Sequence, residues 1–249
     1  MGKKGEGIIS SIIYFVTCNV KVEIEAIKKI RPPNLLLSYF YFKKINLKDW
    51  CDNLGYKPNI MLDSGAYSAF NKGKSIDFKS YMNYIEINKN YIQYYFNLDE
   101  IGDPDISFWS YLVMKKKNFN PIPVFHYNEN EKYLEHYIKR NEKYIALGGT
   151  VPEKNKTKIA EWINYIINKY PQIEFHHLGS TSKIILEKCI KLKSCDSSTW
   201  IIQAVMGNPS EIAEGMTFKA KQKRAEYNMS KLLKAQEYNN ENCISFMCE

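Results

Sequence analysis

The chain has 249 residues, 45% of them hydrophobic, and its 35 basic and 27 acidic side chains leave a formal charge of +8. That length and composition exclude a disordered tail or a disulfide-stapled miniature, and they fit one large globular domain or two small ones. The positive balance suits a polyanionic partner, although an ordinary solvated surface can carry as much.

Six cysteines (Cys18, Cys51, Cys189, Cys195, Cys243, Cys248) are scattered, with no Cys-x-x-Cys and no zinc-type Cys/His spacing. They read as reduced thiols of a cytoplasmic protein. Lys3 and Lys4 ahead of Ile8 to Val16 faintly resemble a leader peptide, but Glu6 and two serines interrupt it. A first core strand is the expectation there. No apolar run reaches membrane-spanning length.

Short apolar runs follow in order at 12–17, 35–40, 59–63, 94–99, 122–126, 144–148, 173–178 and 194–198. Helical spacing fills most of the gaps: 106–114 behind the cap pair Asp103-Pro104, then 132–139, 156–170 and 182–192. The connections after Thr17 and Phe40 are less cleanly helical. Eight such strand–crossover units predict a (β/α)8 TIM-type barrel over about residues 8–200. A doubly wound open sheet is the alternative, weakened by the lack of a Gly-x-Gly-x-x-Gly or a Walker loop. The last segment, about 201–249, reads as a helical tail of the same domain. Lys219, Lys221, Lys223, Arg224, Lys231 and Lys234 make its first part basic, either as phosphate contacts or as a solvated helix face.

Barrel active sites form at the C-terminal ends of the strands. Those ends carry Asp63, Asp99, His126, Gly148-Gly149, His177-Leu178-Gly179 and Asp196. Each aspartate alone could cap a turn, and Asp63, Ser64 and Gly65 are standard turn residues. Three acids at the tips of separate buried strands instead predict a carboxylate-lined pocket. Paired carboxylates suit glycosidic chemistry, one as nucleophile and one as proton carrier, while a third can accept from a purine edge. Gly148-Gly149 brings bare backbone to the pocket, and Tyr67 offers a stacking face. Gly179-Ser180-Thr181-Ser182 is either a phosphate cradle or a Ser/Thr helix cap. His176 and His177 cannot both face the barrel interior, and His136 is expected on a helix surface. No metal site is expected.

Asp63-Ser-Gly-Ala-Tyr67 resembles the Asp-Ser-Gly-Gly-Phe/Tyr motif of the tRNA-guanine transglycosylases, and Leu98-Asp-Glu100, Leu147-Gly-Gly149 and Cys195-Asp-Ser197 follow in that family's order. With Leu98–Pro104, Pro123–His126, Ile145–Gly149 and Asp196–Trp200, the pattern is most similar to the DpdA-type 7-deazaguanine transglycosylases that modify DNA. The resemblance spans about residues 59–200. It implies a pentosyltransferase that replaces guanine in DNA with a 7-deazaguanine, taking the free base as second substrate and needing no cofactor. It also implies a cytoplasmic setting in a bacterium or phage-infected cell, and a homodimer is within its range.

By the same resemblance Asp196 is the nucleophile, and Asp63 is the general acid/base. Asp99 holds the purine N–H edge, the Gly148-Gly149 backbone reads its carbonyl, and Tyr67 and Leu178 sandwich the ring. Ser64, His126 and Gly179 complete the substrate-binding set; outside the span of the resemblance, Lys219, Lys221, Lys223 and Arg224 are the candidate nucleic-acid contacts on charge alone. His126 stands where the tRNA enzymes carry a base-reading glutamine, and their Cys-rich zinc subdomain is absent after Asp196. A tRNA transglycosylase without that module, a glycosylase or nucleosidase, and an inactive nucleic-acid-binding barrel are the alternatives.

Overall fold

A computed structural model describes residues 11–179 and 182–246. In chain order its elements are β1 Ile12–Thr17, α1 Lys21–Ile30, β2 Asn34–Ser38, α2 Tyr39–Phe42, α3 Leu47–Leu54, β3 Asn59–Asp63, α4 Ala66–Phe70 and α5 Phe78–Asn88. There follow β4 Ile92–Tyr95, α6 Pro104–Lys116, β5 Val124–His126, α7 Lys132–Lys139, β6 Tyr144–Gly148 and α8 Lys156–Lys169. The chain finishes with β7 Glu174–His177, α9 Lys183–Lys188, β8 Ser194–Ser197, α10 Thr199–Val205 and α11 Phe218–Phe246.

The eight strands form one sheet in the order β4-β3-β2-β1-β8-β7-β6-β5, and every pairing is parallel. The two end strands meet through a parallel bridge between Phe96 and Ile122. Ile122 N–H donates to Tyr95 O at 2.8 Å, and Asn97 N–H to Ile122 O at 3.2 Å. One rung further, the ladder is continued by a side chain: Val124 N–H donates to Asn97 Oδ1 at 2.9 Å. The sheet thus curls into the predicted TIM-type barrel, with its seam at β4 and β5.

Alternation sorts each strand into two cores. Tyr14, Leu36, Met61, Phe96, Val124 and Ala146 pack together inside the barrel. Phe15, Leu35, Leu37, Ile60, Leu62, Phe125, Ile145, Leu147 and Phe175 meet the surrounding helices. Both faces are dry, so β2 is buried at every position, which is why these strands read as continuous apolar runs.

The sequence places β1, β3, β6 and α7 at their observed limits. It misplaces the end of β2, because Tyr39 and Phe40 extend an apolar run yet begin α2. The segment after Thr17, which lacks a Ser/Thr/Asp/Asn cap, is nonetheless helix α1. Its buried Glu23 takes over that job: Oε2 accepts from Thr17 Oγ1 and Cys18 N at 2.8 Å and from Val20 N at 3.2 Å.

Helix α11 lies against α1 and α10 and lends Ala225 and Met229 to the outer core. Arg224 corrects the reading of this helix as a uniformly basic face. Its side chain is fully buried, with Nε donating to Ala204 O at 3.0 Å and Nη1 to Gly215 O at 2.9 Å and to Ala213 O. It holds the 213–215 loop and does not meet a phosphate. Lys219 and Lys223 are exposed and Lys221 is half-buried. No helix among the described residues is long and apolar enough to cross a membrane.

Candidate active site

β3 ends in Asp63, and the chain turns at once through Gly65, whose φ is +78°. A Cβ there would lie 2.6 Å from both Phe40 Cβ and Ser38 Oγ, so the turn needs glycine for space as well as for backbone angle. Gly65 N–H donates to Asp63 Oδ2 at 3.0 Å. The same turn aims Ser64 inward, where its Oγ donates to Asp99 Oδ1 at 2.9 Å. Ser64 is therefore a support of Asp99.

The other Asp99 oxygen, Oδ2, lies 3.0 Å from His126 Nε2 at the tip of β5. Behind the ring, Glu129 Oε1 is 3.0 Å from Nδ1, and Glu129 Oε2 accepts from His126 N–H at 3.0 Å. Burial opposes charge on both partners. Even so, the hydrogen bonds and opposite charges hold Asp99 below the usual carboxylate range and push His126 up to about 10. The His126 ring is thus clamped between Asp99 and Glu129, a setting that favours its protonated form. Gly148 and Gly149 make room for it, since a Cβ on either would lie 2.7 Å from His126 Cδ2 or 2.9 Å from His126 Cβ.

Asp196 faces inward from β8, paired with Tyr14 on β1 and next to β7. Its Oδ1 accepts from Gly179 N–H at 2.8 Å, so that amide is spent on the carboxylate. Ser182 caps α9, which favours the capping role for this segment, and Ser180 and Thr181 lie outside the described residues. Of the adjacent histidines, His176 points into the barrel 3.5 Å from Asp196 Oδ1. His177 points outward to Thr150 Oγ1 at 3.0 Å.

Asp99 and Asp196 both lie close enough to Asp63 for their charges to act on it. Burial, and then the negative charges of Asp99 and Asp196, push the Asp63 carboxyl up to about 8. At neutral pH Asp63 therefore carries a proton beside an ionised Asp99. Tyr67, in the first turn of α4, is 43% exposed, and Leu178 packs on the inner core. His136 is half-buried against Phe108 at 5.4 Å, in place of the expected free surface. Among the described residues no cluster of His, Cys, Asp and Glu is arranged to hold a metal ion. A separate cleft with Lys115, Arg140, Lys143 and Tyr144 opens at the N-terminal ends of β5 and β6, on the opposite side from the carboxylates.

Sequence reasoning missed Glu129, Asn97 and the inward role of His176. Glu129 sits three positions after His126, a spacing that ordinary loops share and that carries no signal until the loop is folded.

This arrangement of parallel strands and helices belongs to the TIM-barrel class of folds. Similar solved structures include a protein assigned as a fructose-1,6-biphosphate aldolase from Coccidioides immitis, with TM-score 0.56, 9% identity, and coverage of 93% of this chain and 92% of that one. The YdjI aldolase of Escherichia coli K12 matches with TM-score 0.54 and 9% identity over 92% and 90% of the two chains. Orotidine 5′-monophosphate decarboxylase of Metallosphaera sedula matches with TM-score 0.53 and 9% identity over 92% and 99%. At that identity the likeness establishes the fold alone. No protein-family model and no curated protein matches the chain.

Proposed function

We propose that this chain is a base-exchange enzyme that replaces guanine in DNA with a 7-deazaguanine through a covalent glycosyl-aspartate. The observation that carries the reading is the gathering of Asp63, Asp99 and Asp196 at one end of the barrel, where their environments push two carboxyls in opposite directions. Asp63 holds a proton at neutral pH because burial and two neighbouring negative charges oppose its ionisation. Asp99 stays ionised, clamped by His126 and Ser64. Carboxyl groups driven apart in this way separate acid and base roles within one site.

In the proposed reaction Asp196 attacks C1′ of the deoxyribose, and the C1′–N9 bond breaks. Its electron pair goes to the purine, which takes the proton of Asp63 and leaves as neutral guanine. Asp63, now a carboxylate, accepts the N9 proton of the incoming 7-deazapurine. That nitrogen attacks C1′ and releases Asp196, so the cycle closes with no net change in the protein. Asp99 accepts from the N–H edge of the base, and Tyr67 and Leu178 flank its ring. A duplex target must be opened or flipped for C1′ to reach the carboxylates, and Lys219, Lys221 and Lys223 supply positive charge for the backbone.

Mass spectrometry of nucleosides from DNA and from tRNA, each incubated with the protein and candidate bases, tests this. The expected result is a new 7-deazaguanine nucleoside in DNA. Modification of tRNA alone would overturn the DNA assignment, and abasic sugar in place of a new base would make the chain a glycosylase.

A further inference from the structure

Beneath Asp196 the barrel interior holds a polar chain that the proposed reaction does not use. His176 is fully buried on β7, its ring packed edge-on to Tyr14 at 5.9 Å and tilted against Phe96 at 5.5 Å. Its Nδ1 lies 2.6 Å from Ser194 Oγ, and Ser194 Oγ in turn meets Tyr144 OH. On the other edge of the ring, Nε2 has no hydrogen-bond partner. The polar group it faces is Asp196 Oδ1, 3.5 Å away.

Donor counting gives one self-consistent direction for this chain when Asp196 is a carboxylate and the imidazole carries a single proton. An ionised Asp196 only accepts, so the nitrogen facing it must be Nε2–H. A neutral imidazole then offers Nδ1 as acceptor, which takes the Ser194 hydroxyl proton. Ser194 Oγ is left to accept from Tyr144 O–H. Each hydroxyl donor is used once, and the one unspent donor of the chain is the buried N–H aimed at Asp196. Closing 3.5 Å to an ordinary hydrogen bond needs a movement of roughly 0.5 Å, and catalytic contacts commonly tighten when ligand binds.

We propose that His176, oriented by Ser194 and Tyr144, is a positioning residue for Asp196. Its Nε2–H and the Gly179 amide together hold Oδ1, and so Oδ2 is the oxygen that attacks C1′. When Oδ2 becomes the ester oxygen, Oδ1 becomes the carbonyl and keeps both donors, which restrains rotation of the carboxylate throughout. The attack step rests on the base-exchange reading, whereas the tautomer of His176 does not.

Nitrogen-15 spectra of histidine-labelled protein test the tautomer without substrate, with the His176 signals assigned by their loss in His176→Gln. The expected result is Nε2 protonated and Nδ1 bare at neutral pH, turning to a mixture of tautomers in Ser194→Ala. A bare Nε2, or both nitrogens protonated, would overturn the proposal whatever the activity. With DNA as substrate, His176→Phe should slow formation of the covalent adduct about a hundredfold while KM stays within about twofold. His176→Gln, whose amide N–H reaches the same position, should recover most of that loss, and Ser194→Ala should fall between. Adduct formation at the wild-type rate in both His176→Phe and Ser194→Ala would also overturn it. If the wild-type protein forms no adduct with any nucleic acid, the base-exchange reading fails, and the spectra still decide the role of His176.

Discussion

His126 Nε2 meets Asp99 Oδ2 at 3.0 Å, so one contact joins the tip of β5 to the loop beyond β4, just above the seam where the barrel closes. This pair gives the fold a pH signature. The His126 ring is raised from an ordinary value of 6.5 to about 10. Between those values the folded chain holds a proton that the unfolded chain has lost. The stabilisation is therefore complete below about 6.5 and is lost as pH rises through about 10. Asp99 is depressed, so its contribution is present above the ordinary carboxylate range and is lost as pH falls through its lowered value. Removing one partner of a buried pair costs about 3–5 kcal/mol, and His126→Gln should approach that loss at neutral pH. Thermal melts from neutral to strongly alkaline pH should converge for wild type and variant. Parallel curves with a constant gap would show that His126 is not charged in the folded protein.

If base exchange runs as proposed, the elevated Asp63 carboxyl sets the pH dependence of its first step. A group shifted up to about 8 is protonated at neutral pH and empties as pH rises through that value. In the proposed base exchange, release of guanine into the covalent adduct needs the acid form, so its rate should be flat at neutral pH and fall tenfold per unit well above about 8. Asp63→Asn should remove the dependence and lower the rate by about 10²–10⁴. Single-turnover trapping of the adduct across this range makes the measurement. An unchanged alkaline limb in Asp63→Asn would assign the proton to another group.

Much of this architecture is legible in the chain because buried parallel strands are apolar on both faces. Ile12–Thr17 and Asn59–Asp63 announce themselves as such runs. The acids stand out for the same reason: Asp63 and Asp196 interrupt or end stretches that are otherwise buried. Their neighbours are harder to read. Glu23 looks like an ordinary helix-surface acid but is buried as a cap for α1. Asn97 looks like turn chemistry but supplies the acceptor that extends the β4–β5 seam. Arg224 shares a helix with exposed lysines, and only packing of α11 on α1 and α10 distinguishes it. Asn97 and Arg224 are defined by partners far along the chain, whereas the partners of Glu23 are close in sequence and what hides its role is the burial of its face.

Two glycines separate steric need from backbone need. Gly65 and Gly73 both have positive φ, +78° and +60°. A Cβ at Gly73 would meet nothing within 4 Å, whereas one at Gly65 would lie 2.6 Å from Ser38 Oγ and Phe40 Cβ. Gly73→Ala should therefore cost only the conformational term, about 1 kcal/mol. Gly65→Ala should add the clash, cost about 3 kcal/mol or more, and shift Asp63 and Ser64 with the turn. Denaturant melts give the stabilities, and equal losses would show that Ser38 and Phe40 yield without penalty.

The buried Arg224 and the exposed lysines of α11 should respond in opposite ways. Arg224→Met removes the donors to Ala204, Ala213 and Gly215 carbonyls. Leaving such groups unpaired costs about 1–3 kcal/mol each, so a lower melting temperature is expected, with a frayed 213–215 loop. Lys219→Gln with Lys223→Gln changes exposed side chains and should shift stability by less than about 0.5 kcal/mol. If those lysines meet the nucleic-acid backbone, the double variant binds DNA more weakly, and the slope of log K against log salt falls by about 0.9 for each phosphate left without its lysine. Fluorescence anisotropy across a salt series reads both variants on the same DNA. A Lys219/Lys223 double variant with an unchanged salt slope would move the nucleic-acid surface away from α11. Normal melting of Arg224→Met with weakened DNA binding would instead return that arginine to the surface.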